Sequence, residues 1–80
     1  MNARLHDMAV GESGTVVGYV KGSSAYREKL LAMGLTKGTP FTVERIAPMG
    51  DPVEIKVRGF ALSLRMDEAS ALLVEREGKR

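Results

Sequence analysis

His6 and Asp7 stand side by side near the start of the chain, the pairing that in a hydrolase holds an imidazole as a general base. Nothing else in the sequence completes such a site. Ser13, Ser23, Ser24, Ser63 and Ser70 supply hydroxyls, yet none lies in a G-x-S-x-G elbow or at a motif-like spacing from the histidine, and no phosphate-cradling glycine loop is present. With one histidine and no cysteine, a preorganised transition-metal site lacks ligands, so His6 and Asp7 read as a surface pair. Asp67 and Glu68 read as solvated surface acids opening a helix, where they suit its dipole. No catalytic residue, no metal and no cofactor are expected, and the chain reads as a binding protein, not an enzyme.

Two kinds of binding are also disfavoured. Twelve basic residues against ten acidic ones leave a formal net charge of +2, with acids interleaved among bases. Lys56, Arg58 and Arg65 could face a nucleic acid, but Glu54 sits among them and no aromatic residue interleaves for stacking. A proline-peptide groove needs aromatic walls, and Tyr19, Tyr26, Phe41 and Phe60 are the whole supply, both phenylalanines falling on inward strand phases.

The elements that position these residues are short. Eighty residues, 44% hydrophobic and 28% charged, describe one soluble domain spanning residues 1–80. Such a chain buries only about 60 to 65% of its unfolded surface, which leaves a thin core. The absence of cysteine fits a reducing compartment. No apolar run approaches the roughly 20 residues of a membrane span, and no signal peptide opens the chain, so the cytoplasm is the expected location.

Leu5 to Gly14 reads as a lead-in loop, followed by a strand over Thr15 to Val20 with Gly18 marking a bulge or a close backbone approach. Ser23 or Ser24 can cap a helix over about Ala25 to Met33, which stops at Gly34 and folds Leu35 back onto Leu30. Tyr26, Leu30 and Met33 form one apolar stripe that plugs the end of a barrel. Leu31 lies about 100° away, on the flank shared with Arg27 and Glu28, where it would make a compact apolar anchor with a charged rim.

From Thr39 the period becomes alternating: Phe41 and Val43 are in phase and Ile46 is not, which predicts a bulge or bend. Pro48 to Pro52 is a turn. Val53, Ile55 and Val57 alternate inward, Arg58-Gly59 reverses the chain, and Phe60, Leu62 and Leu64 return inward. One helical turn from Asp67 to Ala71 leads to a strand over Leu72 to Glu75, and Gly78-Lys79-Arg80 reads as a frayed tail. The fold class is mainly β: a small SH3-like antiparallel barrel of about five strands, with a short helix inserted between the first and second.

Four segments together carry a resemblance. L-x-x-M-x-x-G-x-x-G over Leu5 to Gly14, YREKLLAMGLTKG, IAPMGDPVEIKVRG and LSLRMDEASALLVE, in this order and spacing, resemble the ferrous iron transport protein A family, FeoA, over essentially the whole chain. The resemblance implies an SH3-like barrel with a helical insertion. It also implies a cytoplasmic accessory protein of bacterial ferrous iron uptake, whose partner is the membrane transporter FeoB with its cytosolic GTP-binding domain. The contact surface it implies comprises Tyr26, Arg27, Leu30, Leu31, Met33 and Leu35 on and after the helix, with Met49 and Asp51 in the turn flanked by Pro48, Gly50 and Pro52. One alternative is a GTPase activator that inserts Arg27, Arg45, Arg58 or Arg65. Another is kinship with the C-terminal domain of iron-dependent repressors. Those chains carry a DNA-binding winged helix ahead of it, and a sequence opening at Met1 without one reads as a stand-alone module.

Overall fold

The computed structural model describes residues 2–77, so the frayed tail expected at Gly78-Lys79-Arg80 lies outside the described residues. Six strands form one antiparallel sheet: β1 (Asn2–Arg4), β2 (Ser13–Tyr19), β3 (Pro40–Ile46), β4 (Val53–Val57), β5 (Phe60–Leu64) and β6 (Leu72–Arg76). Their spatial order is β1-β6-β2-β3-β4-β5. Two helices interrupt them, α1 (Ser24–Ala32) between β2 and β3, and α2 (Met66–Ala71) between β5 and β6. No helix among the described residues is long and apolar enough to cross a membrane.

One strand more is present than the alternation of the sequence suggests, because the residues ahead of the lead-in segment form one. Asn2–Arg4 pairs with β6 through Asn2 with Glu75, Ala3 with Val74 and Arg4 with Leu73. A 3-10 turn over Leu5–Asp7 follows and sinks Leu5 into the core. Three residues are too few to show a period, so only the partner strand identifies β1.

The irregularity marked by Gly18 in β2 and the one expected from the phase break in β3 are both present. Register shifts between Val16 and Gly18 in the β2–β6 ladder, and between Val43 and Arg45 in the β3–β4 ladder. Each extra residue bends its strand and raises its twist, so a short sheet can curl around a small core. The loop ahead of β2 clasps the second bulge, the Gly11 N–H donating to the Val43 carbonyl at 2.8 Å and the Val43 N–H to the Glu12 carbonyl at 2.8 Å.

The β4–β5 hairpin follows its sequence most closely. Val53, Ile55 and Val57 are buried, and the two-residue turn places Arg58 and Gly59 at φ 52° and 86°. Positive φ at both central positions is the primed turn whose twist matches the strands it joins. Val57 and Phe60 face one another across it.

The core gathers Leu5, Val16, Leu30, Leu35, Ile55, Leu64, Leu72 and Val74 from every layer, all fully buried. Gly14 of β2 pairs with Arg76 of β6. A Cβ there would lie 2.7 Å from the Glu75 carbonyl oxygen and 3.1 Å from the Phe41 ring, and a backbone oxygen cannot swing aside. Gly14→Ala is therefore expected to destabilise the fold by about 1 to 3 kcal/mol, the cost of overpacking a dense interior, read as a lower midpoint in urea unfolding. An unchanged midpoint would show that the two strands can part at no cost.

Candidate functional site

The site grows out of how α1 ends. Its last turn closes on Gly34 at φ 90°, with the Leu35 N–H bonded to the Leu30 carbonyl at 3.0 Å and the Gly34 N–H to the Leu31 carbonyl at 3.0 Å. This double closure needs a left-handed residue at Gly34, which glycine adopts without a Cβ clash. It brings Leu30 and Leu35 together, both buried. Tyr19 of β2 then fixes the segment from outside, its phenol donating to the Leu35 carbonyl at 2.6 Å while the Arg27 guanidinium sits 5.8 Å from its ring centroid. Sequence reasoning gave Tyr19 no part in the site, because its two contacts lie 8 and 16 residues away in the chain.

The helix is thus held by Leu30, and its flanks divide. Leu31 is 40% exposed, as the helical angle predicts, and Arg27 beside it is exposed. Met33 is half-buried. Tyr26 is 38% exposed and directs its hydroxyl to the Asp67 carboxylate at 3.4 Å. The expected plug of Tyr26, Leu30 and Met33 is corrected accordingly. Leu30 and Leu35 form it with Met33 packed half-buried against the core, and Tyr26 stays outside because α2 passes beside it and offers a carboxylate instead of an apolar seat. Ser23 does not cap the helix with its side chain; its hydroxyl turns back to the Val20 carbonyl.

The contact residues expected in the turn after β3 occupy a different depth. Met49 is 84% exposed. Asp51 lines a cleft of about 450 Å³ together with Lys29 of α1, Ser63, Arg65 and Glu68, so the structure does bring this turn and the helix to one surface. Leu30 and Leu35, expected among the contact residues, are fully buried and correct that expectation, since the core takes them in.

Glu68 corrects a second expectation. It does open a helix, but it is only 4% exposed. Its carboxylate accepts the Arg65 N–H at 2.8 Å and pairs with the Lys29 ammonium, so one side chain starts α2 and ties it to α1. Burial by itself raises the carboxyl's pKa, but the bonds to Lys29 and to the Arg65 backbone outweigh it and hold the group below the ordinary glutamate value. No spacing in the sequence joins Lys29 to Glu68, and that is why the pair is invisible there.

Phe60 is the third correction. It keeps the inward phase of β5 but is 71% exposed. With Met33, Gly34, Val57, Arg58, Ala61 and Leu62 it lines a mostly apolar cleft of about 350 Å³ between the end of α1 and the hairpin tip. A second opening, of about 520 Å³, lies at the other end of α1 and carries Lys21, Arg27 and Lys37 on its walls. Among the described residues no three His, Asp or Glu side chains converge as metal ligands. His6 and Asp7 form an exposed pair at 3.3 Å, far in the chain from every residue of these clefts. Around one short helix the chain thus presents exposed apolar side chains and clefts with charged walls.

Comparison with known proteins identifies the family and the fold. A family model for the FeoA domain matches residues 3–76. An Fe(2+) transport protein A/Fe(2+) transporter FeoB fusion protein of Porphyromonas gingivalis is 33% identical over 72 residues, which cover 90% of this chain and 8% of that protein. Among solved structures, a FeoA-like protein from Clostridium acetobutylicum superposes with a TM-score of 0.88 at 37% identity, covering 99% of this chain and 91% of the other. The Stenotrophomonas maltophilia FeoA, described as a procaryotic SH3 domain protein, shares the fold with a TM-score of 0.74 at 24% identity, covering 91% of this chain and 89% of the other.

The buried carboxylate yields a test with a definite sign. Because its folded pKa is lower than its unfolded one, Glu68 contributes fully above the ordinary glutamate value of about 4.3, and the contribution fades as pH falls through the folded value. Glu68→Gln is expected to lower unfolding free energy at pH 7 by about 1 to 3 kcal/mol, with the gap from wild type narrowing in urea titrations near pH 3. A gap equal at both pH values would show that the negative charge is not what this residue contributes.

Proposed function

The chain belongs to the FeoA family, and on that premise we propose that it is an accessory protein of ferrous iron uptake that docks, as one SH3-like unit of residues 1–80, on the cytosolic GTP-binding region of the transporter FeoB. The observation that carries this reading is the Porphyromonas gingivalis relative, whose name joins transport protein A and FeoB in one fusion protein. Fusing two proteins fixes a high effective concentration of one beside the other, an arrangement useful only to partners that meet. The chain works on the inner side of the membrane and takes its place there through the transporter.

Docking uses the exposed flank of α1, with Leu31 as the apolar anchor and Arg27 and Tyr26 as its polar rim. An exposed leucine ringed by amphipathic and charged side chains is the composition of an interface centre. Asp51 and Met49 extend the contact along the turn after β3. Binding, not chemistry, is the activity: a lone histidine, no cysteine and hydroxyls without a base support no catalytic constellation.

The test is a biosensor titration of the purified FeoB cytosolic region against this chain, with GDP and with a GTP analogue. Saturable binding is expected, and Leu31→Asp is expected to weaken it about tenfold or more while costing about 1 to 2 kcal/mol of stability, from partial loss of burial and an acid in the last helical turn. Wild-type affinity in that variant would remove Leu31 from the contact. No binding of the native chain in either nucleotide state would end the docking reading. GTP turnover at saturation is expected to stay unchanged; a rise of about 10³-fold or more would make the chain an arginine-supplying activator instead.

A further inference from the structure

The cleft at the hairpin tip is a recognition site of its own. Phe60 follows the buried phase of β5, yet α1 ends at Gly34 and leaves the ring as an uncovered lip over a pocket whose other walls are Met33, Val57 and Leu62. Apolar walls with one aromatic lip suit a single large apolar side chain. The backbone beside it is open as well. In a two-residue hairpin the pair that closes the turn, here Val57 and Phe60, exchanges hydrogen bonds, so Ala61 directs its N–H and C=O away from β4. β5 is the last strand of the sheet, and Ala61 therefore offers an extended chain a main-chain partner next to the pocket.

Charge selects the occupant. Arg58 stands at the rim, forms no ion pair among the described residues, and no carboxylate lines the cleft. A second copy of this chain seated on the same cleft about a two-fold axis would set one Arg58 against the other, a like-charge contact in a desolvated interface. An acid beside an apolar anchor meets the opposite charge there.

We propose that this cleft receives an extended acidic segment of a protein partner, one large apolar side chain entering between Met33 and Phe60 and a neighbouring carboxylate reaching Arg58. That the partner is the transporter rests on the docking reading above; the chemistry of the cleft does not.

The test is an amide-resolved NMR titration of the full chain with three synthetic heptapeptides: a leucine-phenylalanine centre flanked by aspartates, the same centre flanked by lysines, and aspartates flanking two alanines. The first is expected to move the signals of Met33, Gly34, Phe60, Ala61 and Leu62 and to bind about tenfold more tightly than either of the others. Phe60→Ser and Arg58→Glu, both at exposed positions, are expected to weaken it about tenfold each with the remaining spectrum unchanged. Equal affinity for the lysine peptide, shifts located elsewhere, or indifference to both substitutions would overturn the proposal. Concentration-dependent shifts at the same residues without peptide would overturn it in favour of a second copy. Titrating the FeoB cytosolic region in the same series separates the two readings. Binding that survives both substitutions overturns the cleft as the docking point and leaves docking intact. Peptide binding with no transporter binding overturns docking and leaves the cleft.

Discussion

Everything that makes this surface distinctive depends on the seating of Leu30 and Leu35 under the Gly34 turn. One glycine in the left-handed conformation lets the chain fold back on the last helical turn, so two large side chains enter the core together at the place where a nine-residue helix would otherwise have little to hold it. Once Leu30 points inward, the 3.6-residue period fixes the rest: Leu31 must face outward, Arg27 must lie near it, and Met33 must reach the rim of the hairpin cleft.

That seating would leave α1 free to pivot about one point. Two polar contacts prevent it. Tyr19 holds the chain beyond the helix through the Leu35 carbonyl, and Glu68 holds Lys29 while its other oxygen caps the start of α2. A buried carboxylate is costly unless every one of its acceptors is used, and here both oxygens are engaged. The helix is therefore tied at its core leucine and by these two contacts, which set where its exposed residues stand relative to the turn after β3 and the hairpin tip. A helix tied in this way suits recognition, since less conformational freedom remains to be lost when a partner docks.

Much of the frame was legible because it is written in short-range patterns. The alternation of Val53, Ile55 and Val57, the phase break after Val43, the glycine in β2 and the Gly34 stop each involve residues only a few positions apart, and each matches the structure. The family was legible too, from four segments in order. What was misread shares one cause. Tyr26 looked like core by its helical spacing, Phe60 by its strand phase and Glu68 like surface by its position in a first turn. Each of those patterns states which way a side chain points and is silent on what, if anything, lies over it.

The sequence alone determined the kinds and order of the longer elements, the turn chemistry at Arg58-Gly59 and Gly34, and which chemical groups the chain carries, because these follow from backbone preferences and from residue type. Only the tertiary structure decided that β1 exists, that Lys29 and Glu68 meet, and that α1 stops short of Phe60 and leaves a cleft there. Those three facts join residues 26 to 73 positions apart, fixed by how the strands curl around a thin core, and no local pattern encodes the distance between two segments that only folding brings together.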